Sequence, residues 1–187
     1  VPQGTTAAVA ERFTVSWDRR DMPFDAHRGT FVTSTVEHVT ARPLGGSGST
    51  SDNPFSATNS EFLRWTSRLA GYVPLSKKGT TLAVSFRFGL NHQLTAGSRT
   101  YPDRLFFMGG MDSIRGFLQD SMIPEDVAHQ LLAKGSTLTA ESVLIRGGNF
   151  FVNPRVELRV PLYGSLQTAL FVDAGNLWSR SPTESAI

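Results

Sequence analysis

The chain has 187 residues, of which 18% are charged, with a formal net charge of +2 and no cysteine. That length suits one domain with a sizeable core. The composition excludes disulfide and thiolate-metal chemistry, and the dispersed charge lacks the clustered basic face of a nucleic-acid binder.

Period-two alternation of apolar and polar side chains dominates, and helical periodicity is almost absent. It opens with Phe13, Val15 and Trp17 alternating with Arg12, Thr14, Ser16 and Asp18. Residues 30–40 are less clean, with Val32 and Val36 opposite Thr33, Thr35 and Glu37. Next come Leu63, Trp65 and Leu69 against Arg64, Thr66 and Arg68. In residues 80–91 the apolar set Leu82, Val84, Phe86, Phe88 and Leu90 faces away from Thr81, Ala83, Ser85, Arg87, Gly89 and Asn91. In residues 150–160, Val152, Val156, Leu158 and Val160 oppose Asn153, Arg155, Glu157 and Arg159. The last segment, residues 165–173, sets Leu166, Leu170 and Val172 against Gln167, Ala169, Phe171 and Asp173. Six strands are predicted.

The polar faces carry small residues, spaced arginines and single acids. The strands reach the ~9–11 residues that cross a bilayer at a tilt. Lipid outside and a wet lumen inside produce this pattern; a soluble sandwich with one solvated face also alternates. Connections alternate short and long. Residues 19–29, 73–79 and 161–164 read as compact turns rich in Pro, Gly and Asp, whereas residues 41–58 and 92–142 are long. The Gly/Ser run at 45–51 is flexible by composition, as in an external loop tip. Pro124, Glu125, Asp126, Lys134 and Gly135 mark a short surface helix inside the second long loop. Trp17, Tyr72, Tyr101, Phe106, Phe107, Tyr163 and Trp178 fall near strand ends, where an interfacial girdle or ordinary packing would put them.

Signals for catalysis are poor. His27, His38, His92 and His129 lack metal-ligand spacing, Gly109-Gly110 lacks the rest of a dinucleotide loop, and residues 45–49 lack the last glycine of a nucleophile elbow. The chain is expected not to be an enzyme, with no catalytic residue, metal or cofactor. No run approaches the ~18 apolar residues of a spanning helix, and Val1-Pro-Gln-Gly opens no signal peptide. A processed chain or a fragment is expected.

The unusual stretch lies in the second long loop: Gly109, Gly110, Ser113, Ile114, Arg115, Gly116 and Phe117. An arginine among apolar neighbours costs free energy unless a carboxylate meets it. Glu157 and Asp173 share the polar face of the next two strands, so a loop folded into the lumen would bring Arg115 to both. Pairing across the loop surface is the alternative. A guanidinium fork serves carboxylates bidentately, as lysine cannot. The glycines at 109, 110 and 116 would permit positive φ or close backbone approach.

Four places resemble the BamA/TamA-type outer-membrane assembly-factor superfamily, or bacterial surface antigen family, which also includes the two-partner-secretion transporters. They are the turn beginning at Asp18-Arg19-Arg20-Asp21, the Gly109–Phe117 loop motif, Glu157-Leu158-Arg159-Val160-Pro161, and the run from Phe171 through Asp173 and Gly175 to Trp178. The resemblance implies an all-β fold: an antiparallel transmembrane β-barrel segment of about six strands from a barrel of sixteen. Residues 1–187 would be a partial C-terminal barrel domain with a lumen-inserted loop at about 92–142. The POTRA domains and remaining strands would lie elsewhere, in the same or another chain. It implies residence in the bacterial outer membrane and insertion of client outer-membrane polypeptides. Lipid bilayer and accessory lipoproteins are implied partners, and nucleic acid is not. Arg115 would lock the loop onto Glu157 and Asp173. A polypeptide translocator of the two-partner-secretion type, a passive pore and a soluble binding module are the competing expectations.

Overall fold

The computed structural model describes residues 5–44, 59–133, 147–164 and 166–182. Five long strands and one shorter one form a single antiparallel sheet in chain order: β1 (Thr5–Asp18), β2 (Gly29–Leu44), β3 (Ser60–Pro74), β4 (Thr81–Gln93), β5 (Phe150–Tyr163) and β6 (Leu166–Asp173). A seventh strand, β7 (Asn176–Trp178), was not anticipated. It continues the run from β6 after a break at Ala174-Gly175 and pairs the start of β5. The sheet does not close on itself.

Period-two patterning sets which face each residue takes, and the outcome is inverted relative to a soluble sandwich. Phe13, Val15, Phe86, Val156, Leu170 and Val172 are all exposed on one face, Phe13 at 70% and Leu170 at 70%. The opposite face buries Glu37, Thr81, Asn91 and Asn153. Sandwiches bury the apolar face and solvate the polar one. Here the apolar side chains line the outside, as in a transmembrane barrel.

The sheet is strongly curved. The turn between β1 and β2, residues 19–28, folds over the inner face: Gln167 of β6 donates to Asp25 at 3.2 Å, and Arg159 of β5 lies 3.6 Å from Asp25. Four strand intervals separate β2 from β6, about 19 Å in a flat sheet, so curvature is needed to bring residues 25 and 167 together. This turn is held by its own residues. Asp21 accepts backbone N–H bonds from Met22, His27 and Arg28 at 3.0–3.1 Å. Gly29 has φ +111°, and a Cβ there would stand 2.0 Å from the Arg19 carbonyl oxygen.

The long connection from β4 to β5 lies across the inner face. It carries a 3-10 turn (Pro102–Arg104) and a helix, α1 (Glu125–Ala133), and Phe106 pairs Gly148 as an isolated bridge. Phe106, Met108 and Ile114 of this loop, with Phe151 of β5 and Leu177 of β7, form the apolar core. Close approach needs glycine at 175, where a Cβ would sit 2.7 Å from both the Met108 methyl and the Val152 carbonyl oxygen. The first-turn acids of α1 bind β7 and the residue after it: Glu125 accepts from Asn176, and Asp126 from the Ser179 amide at 2.9 Å. The helix is thus docked, not a free surface element.

Several expected boundaries move. Ala41–Leu44 belongs to β2, which shortens the expected long connection at 41–58, and Val73–Pro74 and Pro161–Tyr163 belong to strands, so those short turns are tighter than the composition suggested. Pro161 sits beside the β5–β6 register shift to Tyr163 and beyond the last β4–β5 pair at Arg159, where one edge of the strand is free. The girdle expectation fails for Phe106, which is core, and for Tyr72, which faces Arg159 on the inner side at 5.7 Å. Trp17 and Tyr163 are exposed near strand ends. The Gly/Ser run at 45–51 and the helix-ending Lys134 and Gly135 lie outside the described residues.

Substituting Gly175 by alanine is expected to destabilise the sheet by about 1–3 kcal/mol through overpacking against backbone that cannot move away. A lowered urea midpoint in detergent micelles checks it; an unchanged midpoint contradicts the packing described. A second expectation concerns pH. The three amides facing Asp21 hold its carboxyl below the usual range. Because the folded pKa is depressed, its contribution to turn order is present above the unfolded value near 3.9 and lost as pH falls through the folded one. Protection factors of the His27 and Arg28 amides should collapse only on the acid side of about pH 4, and Asp21→Asn should abolish that dependence.

Candidate functional site

Strand register assembles the site before the loop reaches it. Arg155 of β5 stands opposite Asp173 of β6, and Glu157 opposite Phe171. All four share the inner face. Arg155 Nε donates to Asp173 Oδ1 at 3.2 Å, and Arg159 Nε to Glu157 Oε1 at 2.7 Å, so each acid already has a guanidinium on the wall.

The loop adds a third cation. Arg115 Nε and Nη2 donate to the two Asp173 oxygens at 2.7 and 2.8 Å, a bidentate fork. Its Nη1 donates to Glu157 at 3.1 Å and its backbone amide to Asp173 at 3.2 Å. The guanidinium carbon lies 3.4 Å from the Phe171 ring centroid, in cation–π contact. The Asp173 side chain is 4% exposed, those of Arg115 and Glu157 22% and 21%. The pair is therefore mostly out of water but not sealed.

The rest of the motif shapes the loop that presents Arg115. Gly109 and Gly110 adopt φ +115° and +88°, and a Cβ on either would stand within 2.3 Å of Leu118 or Gln119 atoms. The Gly109 amide donates to the buried Ser113 hydroxyl at 2.8 Å, and the Gly110 amide to the Phe117 carbonyl at 3.0 Å. Asn153 donates to the Ser113 and Ala174 carbonyls. Ile114 enters the core. Gly116 departs from expectation: its φ is not positive and a Cβ there would meet open space. Phe117 is half exposed and contributes its carbonyl, not its ring, to the turn.

A second anchor was missed by the sequence reading. Glu37 of β2 is 3% exposed and receives Arg104 of the loop at 2.6 Å and Arg12 of β1 at 3.2 Å. Arg64, opposite Glu37 on β3, stacks on Phe106 at 4.6 Å. The available signal was a lone acid on an otherwise basic and hydroxylic face, but its partners lie on two other elements, β1 and the loop. Among the described residues no cluster of three or more His, Asp or Glu could hold a metal ion. The arrangement clamps a loop across a polar wall by charge, at two ends of the inner face.

A profile of the Omp85 superfamily domain matches residues 3–186. The solved structure of BamA from Haemophilus ducreyi lacking POTRA domains 1–3 superposes with a TM-score of 0.63 at 20% identity. The superposition covers 90% of this chain and 30% of that one. The chain's fold is thus that of a barrel portion, an open sheet rather than a closed one. The profile takes in nearly every residue, and the chain therefore belongs to the Omp85 superfamily, a family of outer-membrane β-barrel proteins of polypeptide insertion and translocation.

Proposed function

We propose that this chain is the barrel portion of an outer-membrane protein assembly factor of the BamA type, in which Arg115 locks the inserted loop onto the lumen wall. The observation that carries the reading is the fork of Arg115 on Asp173, extended to Glu157. Exposed Phe13, Val15, Leu170 and Val172 would meet lipid, and client outer-membrane polypeptides would be the substrates. The chain acts without covalent catalysis or a cofactor. Accessory lipoproteins would bind elsewhere on the whole protein, of which a barrel portion is one part.

Insertion needs a lumen whose shape is held while strand edges exchange, since edge strands template the addition of a client strand through unpaired backbone groups. A loop fixed at Glu37 and at Asp173 braces β2 against β6 from inside. A cavity of about 660 Å³ beside the loop favours a second reading, passage of polypeptide through the lumen as in a translocator.

Arg115→Ala should weaken loop docking by about 2 kcal/mol, below the ~3–5 kcal/mol of a fully buried broken pair, because each acid keeps a wall arginine. That raises the undocked population roughly thirtyfold. Limited proteolysis of the loop in the protein expressed from its full reading frame reads this directly. Folding of a client barrel into proteoliposomes should slow in parallel. Arg115→Lys keeps the charge but loses the fork and should fall between. Wild-type cleavage and insertion rates in Arg115→Ala would refute the lock.

A further inference from the structure

The inner face holds two populations of arginine. Arg12, Arg104, Arg115, Arg155 and Arg159 each reach a carboxylate within 4 Å. Arg64, Arg68 and Arg87 form no ion pair among the described residues. All three line the cavity of about 660 Å³ between strands β2 to β5 and the loop, together with Arg155. Its one acid among the described residues is Asp112, and Arg87 uses that residue's carbonyl oxygen, at 2.5 Å.

Register makes the excess sharper. Arg68 and Arg87 are directly opposed across β3 and β4, a like-charge cross-strand pair that destabilises a sheet. Glu37, the acid opposite Arg64, is already shared by Arg104 and Arg12. The Arg64 Nε is buried and has no hydrogen-bond acceptor among the described residues. The rest of the wall offers hydroxyls, among them Thr33 and Thr66.

We propose that Arg64, Arg68 and Arg87 form a docking track for acidic segments of polypeptide in the lumen. The proposal rests on the reading that polypeptide enters this space. Guanidinium forks pair with carboxylates in preference to other polar groups. Arg68 and Arg87 are cross-strand neighbours, and Arg64 lies four residues from Arg68 on β3, about 13 Å along the strand. A single phosphate cannot span that distance, whereas acidic side chains four apart on an extended peptide are about 13 Å from one another. The hydroxyl lining keeps the track wet, so that bound carboxylates exchange instead of being trapped.

The test uses the protein from its full reading frame in planar lipid bilayers, probed with a glutamate-rich peptide and a lysine-rich peptide of equal length. The glutamate-rich peptide should block the current, and raising KCl from about 0.1 to 1 M should relieve the block by screening. Arg68→Gln/Arg87→Gln should raise the blocking concentration at least tenfold, and Arg68→Lys/Arg87→Lys should restore most of it. Equal block by both peptides, or block that ignores salt, overturns the proposal on the wild-type protein alone. Lowered barrel stability of the glutamine variant with block intact also overturns it, because the arginines would then serve a carboxylate of the barrel. Client insertion measured on the same preparations separates the two readings. Failure of wild-type insertion with block retained sinks the assembly function and leaves the track, and retained insertion without block does the reverse.

Discussion

Asp173 is almost out of water and faces two guanidinium groups, one from the wall and one from the loop. A carboxylate in that position stays charged because guanidinium groups are held against it. The same logic governs two other acids of the inner face. Once apolar side chains take the outside, Glu37 and Glu157 lie on that inner face and each meets guanidinium groups there. The wall does this first by itself: Arg155 with Asp173, and Arg159 with Glu157. Arg115 then bridges two pairs that are already neutral. Withdrawing it would leave no bare carboxylate, because each acid keeps its wall arginine.

The bridge also joins the two ends of the sheet. Asp25 in the β1–β2 turn lies 3.6 Å from Arg159, which holds Glu157, which receives Arg115, which forks onto Asp173. One continuous chain of ion pairs therefore runs from a short turn to the tip of the long loop. The turn itself crosses to β4, where the His27 ring nitrogen meets the Thr81 hydroxyl at 2.7 Å. The curvature of the sheet and the docking of the loop share side chains. A change of curvature must alter the Arg159–Glu157 arm and, through it, the environment of Arg115.

Parity along each strand was readable because it depends on one strand at a time. It put Glu157 and Asp173 on one face and Arg115 in a loop able to reach them, and the geometry brings the three together. Register was not readable, since it needs two strands at once. For that reason Arg155 and Phe171 were seen as inner-face residues but not as parts of the Arg115 socket. Glu37 escaped for the same reason, with partners on β1 and in the loop. Strand ends were misplaced where proline or small residues imitate turns, as at Pro161, because the register irregularity beside it is a pairwise feature. Gly109 and Gly110 were legible as conformational needs, whereas Gly116 carries no such constraint.

The loop divides the inner face into a matched and an unmatched region. Where Arg115 docks, cations and acids interlock within about 3 Å, and the backbone beneath is fixed by Asn153 and Ser113. On the other side Arg68 and Arg87 face each other across the strands with hydroxyls around them. Paired charge is static, because exchanging a partner leaves a desolvated ion behind. Arg68 and Arg87, with no acid between them, repel each other across the strands, and an anion held there would lower that cost. The two regions are built from the same residue type on the same face, and what separates them is the placement of Asp173, Glu157 and Glu37. Moving an acid across that division would convert an exchangeable surface into a second lock.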